Sequence, residues 1–127
     1  MADPAHEAAV EAADGPAARL LELLGAEPFA PPSLAEATRA AGATSEVVRA
    51  LAQKGDLVRL SDDVAFTRDA YEKAVVAVRE VIAGSGSVTV AQLRDRLGAS
   101  RRPVLALLEY LDSAKVTRRV GDARVLR

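Results

Sequence analysis

Cysteine and tryptophan are absent from this 127-residue chain, and histidine occurs once, as His6. Without thiols, neither a disulfide framework nor a Cys-ligated zinc can hold the fold. A lone His in an Ala/Glu-rich lead-in leaves nothing from which to build a metal site or a nucleophilic dyad, and His6 reads as a bystander. The aromatics are two Phe and two Tyr. The core must therefore be Leu, Val and Ala, which suits short helices better than a β-sandwich. Stacking platforms for coating single strands are missing. No apolar run approaches the roughly 18 residues of a membrane span, and Met1–Asp14 has no basic start, so it reads as a lead-in rather than a signal peptide. Gly84 and Gly86 lack the Lys-Ser/Thr of a phosphate-binding loop, and adjacent Asp62 and Asp63 read as turn formers. The expectation is a protein without catalytic residues, metal, cofactor, small-molecule substrate or membrane partner, in a reducing, cytoplasmic setting.

The formal net charge of −1 hides an asymmetry. Residues 1–72 hold 6 Lys/Arg against 13 Asp/Glu, a net of −7, whereas residues 73–127 hold 11 against 5, a net of +6. Such a division suggests that the second half meets a polyanion.

Sliding the chain against itself by 56 residues brings Ser33-Leu34-Ala35-Glu36-Ala37 onto Thr89-Val90-Ala91-Gln92-Leu93, and Ala41-Gly42-Ala43-Thr44 onto Leu97-Gly98-Ala99-Ser100. Ser33, Thr44, Thr89 and Ser100 are expected N-caps, and Gly42 and Gly98 end the preceding helices in the left-handed region. Two helices around a Gly-containing turn form a helix-turn-helix pattern. An apolar-periodic helix precedes each copy: Ala17, Leu20, Leu21 and Leu24 in the first, Tyr71, Val75, Val78 and Ile82 in the second. A hairpin follows each, at residues 57–67 with a turn at 61–63, and at residues 116–126 with a turn at Gly121-Asp122. Gly84–Ser87 reads as a loop into a short strand at Val88. The fold class is mainly α with small β-hairpins, a tandem winged-helix arrangement: residues 1–14 a lead-in, 15–67 an acidic module, 68–127 a basic one. Modules this small bury only about 60% of their unfolded surface and should lean on a shared interface.

One scaffold position can be compared in two chemical states. Where the first copy opens its third helix with Ser45-Glu46, the second has Arg101-Arg102. Two arginines oppose the helix dipole there by a few tenths of a kcal/mol each, which a phosphate at the helix end would offset. Val104, Leu107, Leu108 and Leu111 form the opposite, core-facing side. In the second wing a two-residue turn places Arg119 and Arg124 opposite each other, unfavourable unless an anion intervenes; Arg118 and Arg127 extend that basic edge. Arg94 is the arginine of the second helix nearer the turn.

Leu97-Gly-Ala-Ser-Arg-Arg, Leu107-Leu-Glu-Tyr-Leu-Asp and Val116-Thr-Arg-Arg-Val-Gly-Asp-Ala-Arg-Val-Leu-Arg127 closely resemble the C-terminal end of bacterial selenocysteine-specific elongation factors. The resemblance implies an mRNA-binding module. In that family a GTPase body is followed by winged-helix modules, the last of which grips the selenocysteine insertion hairpin. The family's basic helix start falls on Ser100, Arg101 and Arg102. Arg102 stands where the family has Lys, and Pro103 where it has an aromatic. No GTPase domain is present, so the expected chain is a C-terminal fragment or a free-standing relative that binds the hairpin without hydrolysing GTP and reaches the ribosome through a larger parent. The expected RNA-binding set is Ser100, Arg101, Arg102, Arg94, Arg118, Arg119 and Arg124. Two alternatives stay open: a DNA-binding regulator using the third helix of the second module, and a protein–protein scaffold. Against the first, the outward positions Ala106, Glu109 and Ser113 are poor in base-reading groups.

Overall fold

The computed structural model describes residues 15–127; the expected lead-in and His6 lie outside them. The first three helices, α1 (Pro16–Ala26), α2 (Leu34–Ala41) and α3 (Ser45–Lys54), precede a hairpin of β1 (Leu57–Arg59) and β2 (Ala65–Thr67). Helix α4 (Arg68–Ser85) follows directly, then β3 (Val88–Thr89), α5 (Val90–Leu97), α6 (Arg101–Ser113), β4 (Thr117–Val120) and β5 (Ala123–Leu126).

The repeat is visible in the caps. Ser33, Thr44 and Thr89 accept bonds from the backbone N–H of Glu36, Val47 and Gln92, and Thr89 forms a full capping box. Gly42 and Gly98 close α2 and α5 with φ of 69° and 63°. Ser100 departs from the pattern: its backbone is extended, as a cap requires, but its hydroxyl makes no capping bond. The expected loop at Gly84 begins later, because α4 runs through Ser85 and ends at Gly86, φ 83°. The deepest line of α4 is Ala70, Ala74, Ala77, Val78 and Ile82, while Tyr71 and Val75 are half-buried beside it. Small residues there bring the helix axis close to its neighbours.

β1 and β2 pair antiparallel, with Val58 opposite Phe66. The second sheet has the order β3-β5-β4, with Val88 beside Arg124 and Val120 beside Ala123 across the Gly121-Asp122 turn. In the first module the place of β3 is taken by a single backbone bond, Leu34 N–H to Asp63 carbonyl at 2.7 Å.

Alternation along a strand sends successive side chains to opposite faces, and in the first hairpin both faces are covered. Leu57 and Ala65 belong to a core with Leu20, Leu24, Ala37 and Leu51. Leu60, Val64 and Phe66 belong to another that continues through α4 into Val88, Leu93, Val104, Leu107, Leu108 and Leu111. The first wing is thus a wall between the two halves. Phe29 meets Phe66 edge-on, with ring centroids 6.3 Å apart.

Candidate nucleic-acid interface

Helix α6 carries its apolar stripe as expected: Val104, Leu107, Leu108 and Leu111 are fully buried. Its other flank is not free. Pro103 is buried, and Ala106, expected to face outward, is buried too, in the core that contains Phe66. Tyr110 meets Tyr71 edge-on at 5.8 Å. Burial by apolar neighbours raises the Tyr71 phenol's pKa; Tyr110 adds to this and Arg79 opposes it. What remains exposed on α6 is its basic start and a strip through Glu109 and Ser113. A helix packed on two sides in this way cannot lie lengthwise in a major groove.

Between the start of α6 and the second wing lies a cleft of about 240 Å³ whose lining includes Arg101, Arg119 and Arg124. Three of the expected residues therefore converge. Thr89, Val90, Ala91, Leu105 and Asp122 complete the cleft and were not expected. The repeat could have pointed to Ala91, since Ala35 is its equivalent. Arg101 is exposed at the first position of α6, where helix N–H groups lack intrahelical acceptors. Arg119 is exposed, and its Nε donates to the Gly121 carbonyl at 2.9 Å, which ties the side chain to the turn.

Two of the expected arginines are engaged elsewhere. Arg119 and Arg124 do sit directly opposite each other, but the anion that makes this tolerable belongs to the protein. Arg124 is only 3% exposed and its Nε donates to Asp112 Oδ2 at 3.2 Å. Asp112 Oδ1 accepts from the Thr117 hydroxyl at 2.6 Å. Arg124 is thus the neutralised floor of the cleft rather than a free cation. Arg102 points to the first module and pairs with Asp63. It lines a smaller cleft of about 170 Å³ with Ser100, Pro103 and the segment Ala30–Ser33. Among the described residues one arginine, not two, is left unpaired at the helix start. Arg94 on α5 and Arg118 on β4 are exposed but line neither cleft; Arg118 follows the strand's alternation away from Arg119.

Most of the acidity of the first half lies ahead of the first module. Residues 1–14 hold four Asp/Glu and no Lys/Arg, a net of −4, whereas residues 15–67 hold 5 Lys/Arg against 7 Asp/Glu, a net of −2. Asp56 pairs with Lys54, and Asp63 with Arg102.

Three helices closed by a hairpin, present twice, define a tandem winged-helix protein whose second copy has a basic cleft between helix start and wing. The comparisons agree with that class and narrow it. Residues 80–126 match the family described as "Elongation factor SelB, winged helix". The selenocysteine-specific elongation factor of Desulfomicrobium baculatum is 28% identical over 83 residues, covering 65% of this chain. That of Escherichia coli K12 is 32% identical over 80 residues, covering 63%. In both cases the chain spans 13% of the relative's length. The mRNA-binding domain of elongation factor SelB from E. coli, solved in complex with SECIS RNA, superposes with a TM-score of 0.72 at 25% identity, over 88% of this chain and 96% of that one. The bacterial selenocysteine-specific elongation factor EF-Sec superposes with a TM-score of 0.63 at 22% identity, over 71% of this chain and 15% of that one. The resemblance read in the sequence is thus found independently in family, relatives and fold.

Proposed function

We propose that this chain is an RNA-binding tandem winged-helix module that recognises the selenocysteine insertion hairpin of a messenger RNA and so supports selenocysteine incorporation in translation. The observation that carries this reading is the match over nearly the whole of a domain solved with SECIS RNA, with a basic cleft in the half that the SelB winged-helix family matches. Residues 68–127 are the RNA-binding unit. Arg101 at the α6 start and Arg119 on the wing make the main phosphate contacts over the floor formed by Arg124. Ser100, with its uncommitted hydroxyl, contributes at the rim, and Arg94 and Arg118 add long-range attraction. Arg102 contributes where a phosphate outcompetes Asp63. Residues 15–67 act as the docking unit that holds α6 from behind. A cleft of this kind meets a hairpin's loop and backbone without entering the groove that A-form RNA keeps closed. Within a longer factor, the hairpin contact would tether the GTPase and ribosome-binding parts to the message.

The test is a titration of the full chain with a selenocysteine insertion hairpin, a loop-scrambled hairpin and a DNA duplex at two salt concentrations. The expected result is at least about tenfold preference for the intact hairpin, roughly 1.4 kcal/mol. Equal, weak, salt-dependent binding to all three overturns the reading.

A further inference from the structure

The first module has a groove at the place equivalent to the basic cleft of the second. A shift of 56 residues puts Ala35 on Ala91 and Ser45 on Arg101, and in the wings a shift of 60 puts Arg59 on Arg119 and Asp62 on Asp122. All of these positions line their respective clefts. The first groove is the larger, about 470 Å³ against 240 Å³, and its chemistry differs. Its floor is apolar, formed by Leu34, Ala35, Ala43 and Val48, and Arg39 and Arg59 stand at its rim.

We propose that this groove seats one unpaired nucleotide of RNA, the base on the apolar floor and the backbone phosphate between Arg39 and Arg59. The proposal rests on the RNA-binding reading above and adds to it a second contact in the half that otherwise only docks.

Three observations carry it. First, the two arginines are available. Arg68, Arg96, Arg102 and Arg124 each pair with a carboxylate, whereas Arg39 and Arg59 pair with none among the described residues. Arg59 only reaches the Asp62 carbonyl, at 3.5 Å. Second, the mixture of surfaces is specific. A phosphate alone has no use for an apolar floor, and an apolar peptide has no use for two free guanidinium groups. A splayed base uses both, because guanidinium planes stack on bases as well as binding phosphate. A paired base cannot reach such a floor. Third, the groove is preformed. One wall is the first wing, held between two cores, so little ordering is required on binding. Asp62 also lines the groove and limits the attraction, which makes this a contact secondary to the basic cleft.

The experiment uses the full chain and three RNA probes: a blunt insertion hairpin, the same hairpin with a six-nucleotide single-stranded tail, and that six-nucleotide strand alone or annealed to its complement. The tail should tighten hairpin binding by about three- to tenfold, or the free strand should bind the hairpin-saturated chain. The first outcome assigns the groove to the same message, the second to a separate RNA. In Arg39→Ala plus Arg59→Ala, both side chains being exposed, that gain disappears while blunt-hairpin affinity and Tm stay unchanged. No gain from tail or strand, a gain that survives the double substitution, or an equal gain from the annealed strand overturns the proposal. Failure of the hairpin reading itself appears separately, as equal affinity for the blunt and loop-scrambled hairpins.

Discussion

Asp112, in the last turn of α6, holds Arg124 of the middle strand of the second sheet, with 3.2 Å between Oδ2 and Nε, and Arg124 in turn faces the exposed Arg119 across the wing. Removing the carboxylate would leave a buried cation opposite a second cation. Asp112→Ala should therefore cost about 3 kcal/mol, the lower end for a broken buried pair because Asp112 is a quarter exposed. Asp112→Ala plus Arg124→Met should be markedly more stable than Asp112→Ala alone, since no unpaired charge remains. Urea unfolding of the three proteins checks this; equal midpoints for the single and double variants would show that the pair is not coupled.

The two arginines at the start of α6 should separate in their effects. Arg101 lines the basic cleft, whereas Arg102 is paired with Asp63. Arg101→Ala should weaken hairpin binding at least about tenfold and flatten the salt dependence by close to one phosphate contact. Arg102→Ala should weaken it less and lower stability by no more than about 1 kcal/mol, because Arg102 is exposed and Asp63 partly so. Equal losses in the two variants would place both side chains on the RNA.

Ala106 is buried where helical periodicity points outward. Ala106→Leu should destabilise the chain by about 1–3 kcal/mol through overpacking, seen as a lowered Tm. An unchanged Tm would mean that this flank of α6 is open, and would return the DNA-binding alternative to consideration.

The raised pKa of the Tyr71 phenol, due first to burial, has a defined pH consequence. A group titrating higher in the folded state contributes stability that is complete below its unfolded value, near 10.0, and is lost as pH rises through the folded value. Between about pH 9 and about pH 11, the wild type should lose more stability than Tyr71→Phe, which cannot ionise. Parallel urea midpoints for the two proteins over that range would remove Tyr71 from the account.

Much of this architecture is legible in the sequence because its signals are local. Ser33 and Thr89, Gly42 and Gly98, and the Gly121-Asp122 turn each act within a few residues, and they locate the caps, the helix ends and the register that sets Arg119 opposite Arg124. The partners of the arginines are not legible in the same way. Asp112 lies 12 residues from Arg124, and Asp63 sits in the other half of the molecule from Arg102. Both ion pairs depend on where whole elements pack, so a charge count predicts more free cations than the fold leaves. Ala106 misleads for the same reason. Periodicity finds one apolar face of α6, but the first wing covers a second, and an alanine is small enough to serve at a close contact or in solvent.

The continuity of α4 with the core that joins the first wing to the second module gives the molecule a fixed phase. Its first turns follow β2 without a linker, and its later residues pack beside α5. In a chain of beads on a string, one extra residue between beads changes only their spacing. Here, one residue inserted in the middle of α4 would turn everything beyond it by about 100° and advance it about 1.5 Å. The groove at Arg59 and the cleft at Arg119 would then face in different relative directions. Length in this helix is therefore an angular coordinate, and the separation of the two grooves is set by helical geometry rather than by the reach of a tether.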